Sequence, residues 1–113
     1  MTDTIFAKII RGEIPCEILY QDDLCIAFND IAPQAPVHIL IIPKKSITQI
    51  NQAQEEDKNM LGHLLLTAKK IAEDQGIAEG YRLVINNGES GGQSVFHLHL
   101  HLIGGKKLGW PSL

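Results

Sequence analysis

The chain has 113 residues and only two cysteines, Cys16 and Cys25. Their spacing fits neither a C-x-x-C redox pair nor a zinc knuckle, so both are expected to be reduced, strand-borne structural residues. Basic charge is not in excess: ten Lys and Arg against thirteen Asp and Glu leave a net charge of −3. Without a basic patch, nucleic acid is not an expected partner. A phosphorylated small molecule remains open as a ligand, held by backbone amides and histidines rather than by bulk charge. Long apolar runs are missing, since the longest, Ile39 to Ile42, is far too short to cross a bilayer. The opening Met1-Thr2-Asp3-Thr4 lacks a basic stretch followed by an apolar run. No signal peptide and no membrane partner are expected, and the cytoplasm is the default location. Linkers, repeats and low-complexity segments are missing too, so residues 1–113 read as a single domain.

What is present suits an ordinary globular core, with 44% hydrophobic and 20% charged residues. The apolar spacing of Ile5, Phe6, Ile9 and Ile10 predicts a short helix over Thr4 to Arg11, ended by Gly12 and Pro15. Glu17 to Tyr20 and Leu24 to Phe28 read as a hairpin around Gln21-Asp22-Asp23. Two prolines make Ala32 to Pro36 a rigid turn before a third strand, Val37 to Ile42, stopped by Pro43. Ser46 and Gln49 have capping-box spacing for a short helical turn. The main helix is expected over Gln54 to Gln75, with Leu61, Leu64, Leu65, Ala68, Ile71 and Ala72 as its buried face and Gly76 past its end. His63 falls off that stripe and is expected to be a surface residue without a role. A fourth strand, Tyr81 to Asn86, and a fifth, Ser94 to Ile103, complete an α+β pattern: an antiparallel sheet with a helix on one face.

The informative segment is His97-Leu98-His99-Leu100-His101-Leu102-Ile103. Strand side chains alternate between faces, so the three imidazoles are expected about 6.5 Å apart on the open face, with the leucines packed toward the helix. Three of the five histidines in the chain fall within five positions, which an incidental surface histidine does not explain. Two chemistries fit. One is a zinc site completed by His38. The other is nucleophilic attack at phosphorus by a neutral imidazole, with its neighbours fixing its tautomer and holding phosphate oxygens. The glycine-rich turn Asn86 to Ser94 favours the second, because its amides and the Ser94 hydroxyl can cradle a phosphate.

This segment satisfies the pattern H-φ-H-φ-H-φ-φ, with φ apolar, and so resembles the histidine-triad (HIT) superfamily. Asp3 to Phe6, Asp30 to Pro36, His38 to Lys45, Gly91 to Ser94 and Gly109-Trp110-Pro111 are similar to its Hint branch of nucleoside phosphoramidases. The transferase branch typically ends its triad with Gln, where this chain has His101. Dinucleoside polyphosphate hydrolases keep all three histidines and are the nearest rival. The resemblance implies a five-stranded antiparallel sheet with one main helix and a short N-terminal helix, paired into a homodimer with a ten-stranded sheet. It implies a purine nucleotide substrate and no cofactor or metal. His99 would be the nucleophile, His101 would contact phosphate and leaving group, and His97 and His38 would orient their neighbours. Asp30 would take the ribose hydroxyls, with Ile31 beside it. Asn86, Gly92, Gln93 and Ser94 match phosphate and leaving-group contacts. Ile5, Phe6, Ile9 and Phe28 match the apolar walls around the base, and Trp110 matches a tail contact from the partner subunit.

Overall fold

The computed structural model describes residues 3–110. Helix α1 (Ile5–Ile10) is opened by Thr4, whose Oγ1 accepts from the Ala7 N–H at 3.1 Å. Strands β1 (Ile18–Gln21) and β2 (Cys25–Asn29) form the expected hairpin, each one residue later than the sequence suggests. Cys25 lies on β2 and is fully buried, whereas Cys16 precedes β1 and is not on a strand. Strand β3 (Val37–Pro43) follows the double-proline turn. Strands β4 (Tyr81–Val84) and β5 (Leu100–Gly104) are shorter than expected. The sheet order is β1-β2-β3-β5-β4, with every neighbouring pair antiparallel.

Helix α2 (Lys58–Asp74) enters through a tight turn at Glu55–Asp57. The Ser46–Gln49 capping box does not form; instead Asp57 Oδ2 accepts from the Gln54 N–H at 2.8 Å, and Lys45 Nζ donates to Asp57 Oδ1 at 2.5 Å. At the other end Gly76 is left-handed, with φ +75°. The Ile77 N–H reaches the Ala72 carbonyl and the Gly76 N–H reaches that of Glu73, a Schellman closure. Among the described residues no helix is long and apolar enough to cross a membrane.

The sheet is covered on both faces. Met60, Leu64, Ala68, Ile71 and Ala72 of α2 pack on Ala27, Ile41, Leu98, Leu100 and Leu102. Phe6 and Ile9 of α1 pack on Ile26, Phe28, Leu40 and Ile42 on the other face. Strict alternation thus puts apolar residues on both sides of β2 and β3, which are interior strands. Leu65 departs from the expected helix face: it is 46% exposed, and Thr67 is buried instead. In the run Leu64-Leu65-Leu66 consecutive residues point about 100° apart, so only Leu64 reaches the sheet.

Candidate active site

The histidine face is not open. Phe6 lies edge-on to His99 at 5.0 Å between ring centroids and to His97 at 6.4 Å, and both histidines are buried. The fifth strand is shorter than the histidine pattern because its pairing with β3 stops before β3 does. Pairing between β3 and β5 runs from Val37–Gly104 to Ile41–Leu100, and beyond it lies Pro43, which has no N–H to donate. The Leu98 N–H turns instead to the Ile47 carbonyl, and the Pro43 carbonyl accepts from His97 Nε2 at 2.8 Å. The alternation survives this departure: Leu98 joins the α2 core and the histidines stay on the α1 side.

Backbone partners fix the imidazole tautomers. A carbonyl only accepts, so His97 carries its proton on Nε2 for Pro43, and His99 carries one on Nδ1, which donates to the His97 carbonyl at 2.8 Å. His99 is left with its lone pair on Nε2. An amide N–H only donates, and that of Gln34 reaches His38 Nδ1 at 3.0 Å. The proton of His38 is therefore on Nε2, which donates to His101 Nδ1 at 2.9 Å. The remaining nitrogen of His101, Nε2, then bears hydrogen, and it is buried without a partner among the described residues. One imidazole thus presents a lone pair and its neighbour, 4.9 Å away between centroids, an unused donor.

Burial pushes His97 and His99 below the ordinary imidazole range. His101 is lowered to about 4, first by burial and then by the neighbouring His99 and His38. The triad is therefore neutral at pH 7, as a nucleophile requires. Asp30, His38 and His101 bring possible ligand atoms within 4.8 Å of one another. The His38–His101 hydrogen bond occupies both of those nitrogens, however, and the backbone holds the other nitrogen of His38, so metal binding would have to break this chain.

A cavity of about 340 Å³ opens beside the histidines. Ile5, Phe6, Ile9, Phe28 and Leu40 form its apolar part, while Asp30, Ser94, His99 and His101 give it a polar end. Ile31, 96% exposed, stands at its edge. Asp30 Oδ1 accepts from the Ala32 N–H at 2.8 Å, so this residue does shape the turn, while Oδ2 lies 3.4 Å from His38 Nε2. Leu40, Val95, Ile14 and Cys16 also line the cavity and were not expected there; nothing in their apolar spacing separates a cavity wall from a core.

The glycine-rich turn is ordered by Gln93, which is 3% exposed. Its Nε2 donates to the carbonyls of Thr48 at 2.8 Å and Val95 at 3.0 Å, and its Oε1 accepts from the Gly88 N–H at 2.8 Å. Both amide protons are committed, so the Gln93 side chain has no free N–H for the expected phosphate or leaving-group contact. Gly92 has φ +92°, and a Cβ added there would meet the Asn86 side chain at 3.8 Å. Of this group only Ser94 borders the cavity. Trp110 is 90% exposed and outside the cavity, and the Gly109 carbonyl before it accepts from the Arg82 guanidinium. Pro111 and the two residues after it lie outside the described residues.

His63 does have a role, contrary to expectation. Its Nε2 lies 2.6 Å from Asp22 Oδ2, tying α2 to the β1–β2 turn.

The class that this fold and site define is matched directly. Residues 11–108 match the HIT domain family. An uncharacterized HIT-like protein of Synechococcus elongatus is 62% identical over 109 residues, 96% of each chain. A HIT family hydrolase from Legionella pneumophila superposes with a TM-score of 0.93 at 50% identity, covering 95% of this chain and 96% of that one. A HIT family hydrolase from Clostridium thermocellum gives 0.95 at 47% identity, covering 100% and 99%. The chain belongs to the HIT family.

Proposed function

We propose that the protein is a hydrolase that cleaves the P–N bond of purine nucleoside 5′-phosphoramidates, such as adenosine 5′-monophosphoramidate, as in the Hint branch. The observation that carries this reading is the pair of fixed tautomers: a lone pair at His99 Nε2 beside an unused N–H at His101 Nε2. The hydrolase names of the Legionella and Clostridium neighbours support the broader activity.

In this scheme the base lies among Ile5, Phe6, Ile9 and Phe28, and Asp30 Oδ2 accepts from the ribose hydroxyls. His99 Nε2 attacks the α-phosphorus, a new N–P bond forms, and the P–N bond to the amine breaks. The nucleotidyl-imidazolium that results carries its charge toward the His97 carbonyl, which already accepts from Nδ1–H. His101, neutral at pH 7, acts as a hydrogen-bond donor to the phosphoryl oxygens rather than as a store of acid. The departing amine leaves with a proton that its nitrogen takes from solvent before the P–N bond breaks. Water then attacks the same phosphorus and gives a proton back to solvent, the N–P bond breaks with its electron pair returning to Nε2, and the nucleoside monophosphate is released.

The proposal includes a homodimer, formed by pairing at an exposed edge of the sheet into ten strands, with the partner's tail reaching toward the site. The edge strands are β1 and β4. Light scattering is expected to give twice 12.5 kDa. A cytoplasmic setting is part of the reading and suits the two unpaired thiols. The deciding experiment is incubation with adenosine 5′-monophosphoramidate, comparing wild type with His99→Ala. Release of AMP by the first and not the second is expected. Faster cleavage of dinucleoside polyphosphates would move the protein to that branch, and nucleotide binding without turnover would make it a binding partner instead.

A further inference from the structure

A second cavity, of about 310 Å³, adjoins the first and has no role above. Ile9, Ile14, Pro15 and Cys16 line both, so these four residues are the partition between them. Ile18 and Ile26 of the sheet also line the second, and none of the described residues that line it is charged. An apolar cavity of about 150 Å³ already takes a benzene ring, so this one has room for a substituent of that size.

The two cavities lie along one row of the sheet. His101 stands opposite Leu40, Leu40 opposite Phe28 and Phe28 opposite Ile18, each pair in register across neighbouring strands. Directly opposed residues point to the same face, here the α1 side. The first cavity takes the His101, Leu40 and Phe28 part of this row, and the second begins at Ile18 on the edge strand. Three strand spacings of about 4.8 Å separate the ends of the row, about 14 Å in all.

In the reading proposed above, phosphorus lies over β5 and the ribose at Asp30, just past the end of β2, so the base points along the row toward β1. The edge of a purine farthest from the ribose carries the 6-substituent, and that edge faces the partition. Cys16 is the smallest side chain there, and its Sγ makes only a long hydrogen bond, 3.9 Å, to the Glu17 carbonyl, so it is the point at which the partition yields. We propose that the second cavity receives an apolar group carried on the 6-position of the purine, so that the substrates include phosphoramidates of adenosine alkylated on its exocyclic nitrogen. The inference rests on the reading above for the placement of the nucleotide.

The test is isothermal titration calorimetry of the full chain with AMP, N⁶-benzyl-AMP and 8-benzylamino-AMP. The last carries the same group on the imidazole edge, beside the ribose rather than opposite it. N⁶-benzyl-AMP is expected to bind about tenfold more tightly than AMP, as burial of part of a benzyl group implies, and 8-benzylamino-AMP is not. Ile18→Trp fills the second cavity from the sheet and should cancel that advantage while leaving AMP binding unchanged. Ile10→Trp fills it from α1 and keeps the test alive if Ile18→Trp fails to fold. The proposal is overturned if N⁶-benzyl-AMP gains nothing over AMP, if the 8-substituted isomer gains as much, or if both variants keep the advantage. Binding is read without turnover: an inert protein that keeps the preference sinks the hydrolysis alone, and an active one without it sinks this inference alone.

Discussion

Among the described residues two histidine–carboxylate pairs occur, His63–Asp22 on the α2 side and His38–Asp30 on the α1 side, and they serve opposite ends. Asp22 is saturated: Oδ1 accepts from the N–H groups of Leu24 at 2.8 Å and Cys25 at 2.9 Å, and Oδ2 from Tyr20 at 2.8 Å and His63 at 2.6 Å. Burial alone would raise its pKa, but these four donors outweigh it and hold the carboxyl well below the usual range. Nothing is left to offer a ligand, and the pair is a clasp. In the other pair Asp30 keeps Oδ2 almost free at 3.4 Å from His38, and the chain through His38 ends in an unused N–H beside a cavity. The same two residue types build structure when every lone pair and proton is used, and a binding site when some are left over.

That contrast can be broken by substitution. His99→Ala should lower phosphoramidate turnover by about 10⁴-fold or more while leaving the melting temperature near that of wild type. Substantial residual turnover would remove His99 from the chemistry. Leu64→Ala acts on the other face alone. It deletes a fully buried side chain packed on the sheet, and urea denaturation should show a loss of about 2–5 kcal/mol, with KM nearly unchanged in the folded protein.

Acid should separate the two faces by pH. The triad histidines have lowered pKa values in the folded chain, to about 4 for His101, so between pH 6.5 and 4 the unfolded chain binds more protons. Stability contributed by the neutral triad is therefore present above pH 6.5 and is lost as pH falls through that window. The Asp22 clasp is lost only below about pH 4, where an unfolded aspartate protonates. Melting temperatures measured from pH 7 to pH 5 should fall, and His101→Gln should flatten the slope; an unchanged slope would mean that the triad does not carry it. The smallest effect belongs to His63→Ala. Both partners of this hydrogen bond are partly exposed, so about 1 kcal/mol of stability should go, with kcat and KM unmoved.

Much of this was legible in the residues. The leucine–histidine alternation assigned Leu98, Leu100 and Leu102 to the α2 side and the imidazoles to the other, and all of them lie there. The length of the fifth strand was not legible, because it depends on a missing donor at Pro43 in a different strand. The His63–Asp22 pair joins positions 41 apart and leaves no periodic trace. The inward turn of Gln93 likewise rests on Thr48, Val95 and Gly88, partners that a motif does not name. Local pattern reports which face a side chain takes; which atoms it then meets is decided by segments far away in the chain.

The hydrogen bond from Gln34 to His38 has a consequence of its own. The proton order along His38 and His101 starts at a peptide N–H, which neither titrates nor rotates, so the chain of donors is rectified: it runs only toward the cavity. No side chain at position 34 takes part in this. Every replacement there should keep the polarity of the site except proline, the one residue without the N–H, which would free His38 Nδ1 and let the whole line run backwards. A property that decides how the site presents itself to phosphorus is thereby stored in the main chain, where nineteen of the twenty amino acids leave it intact.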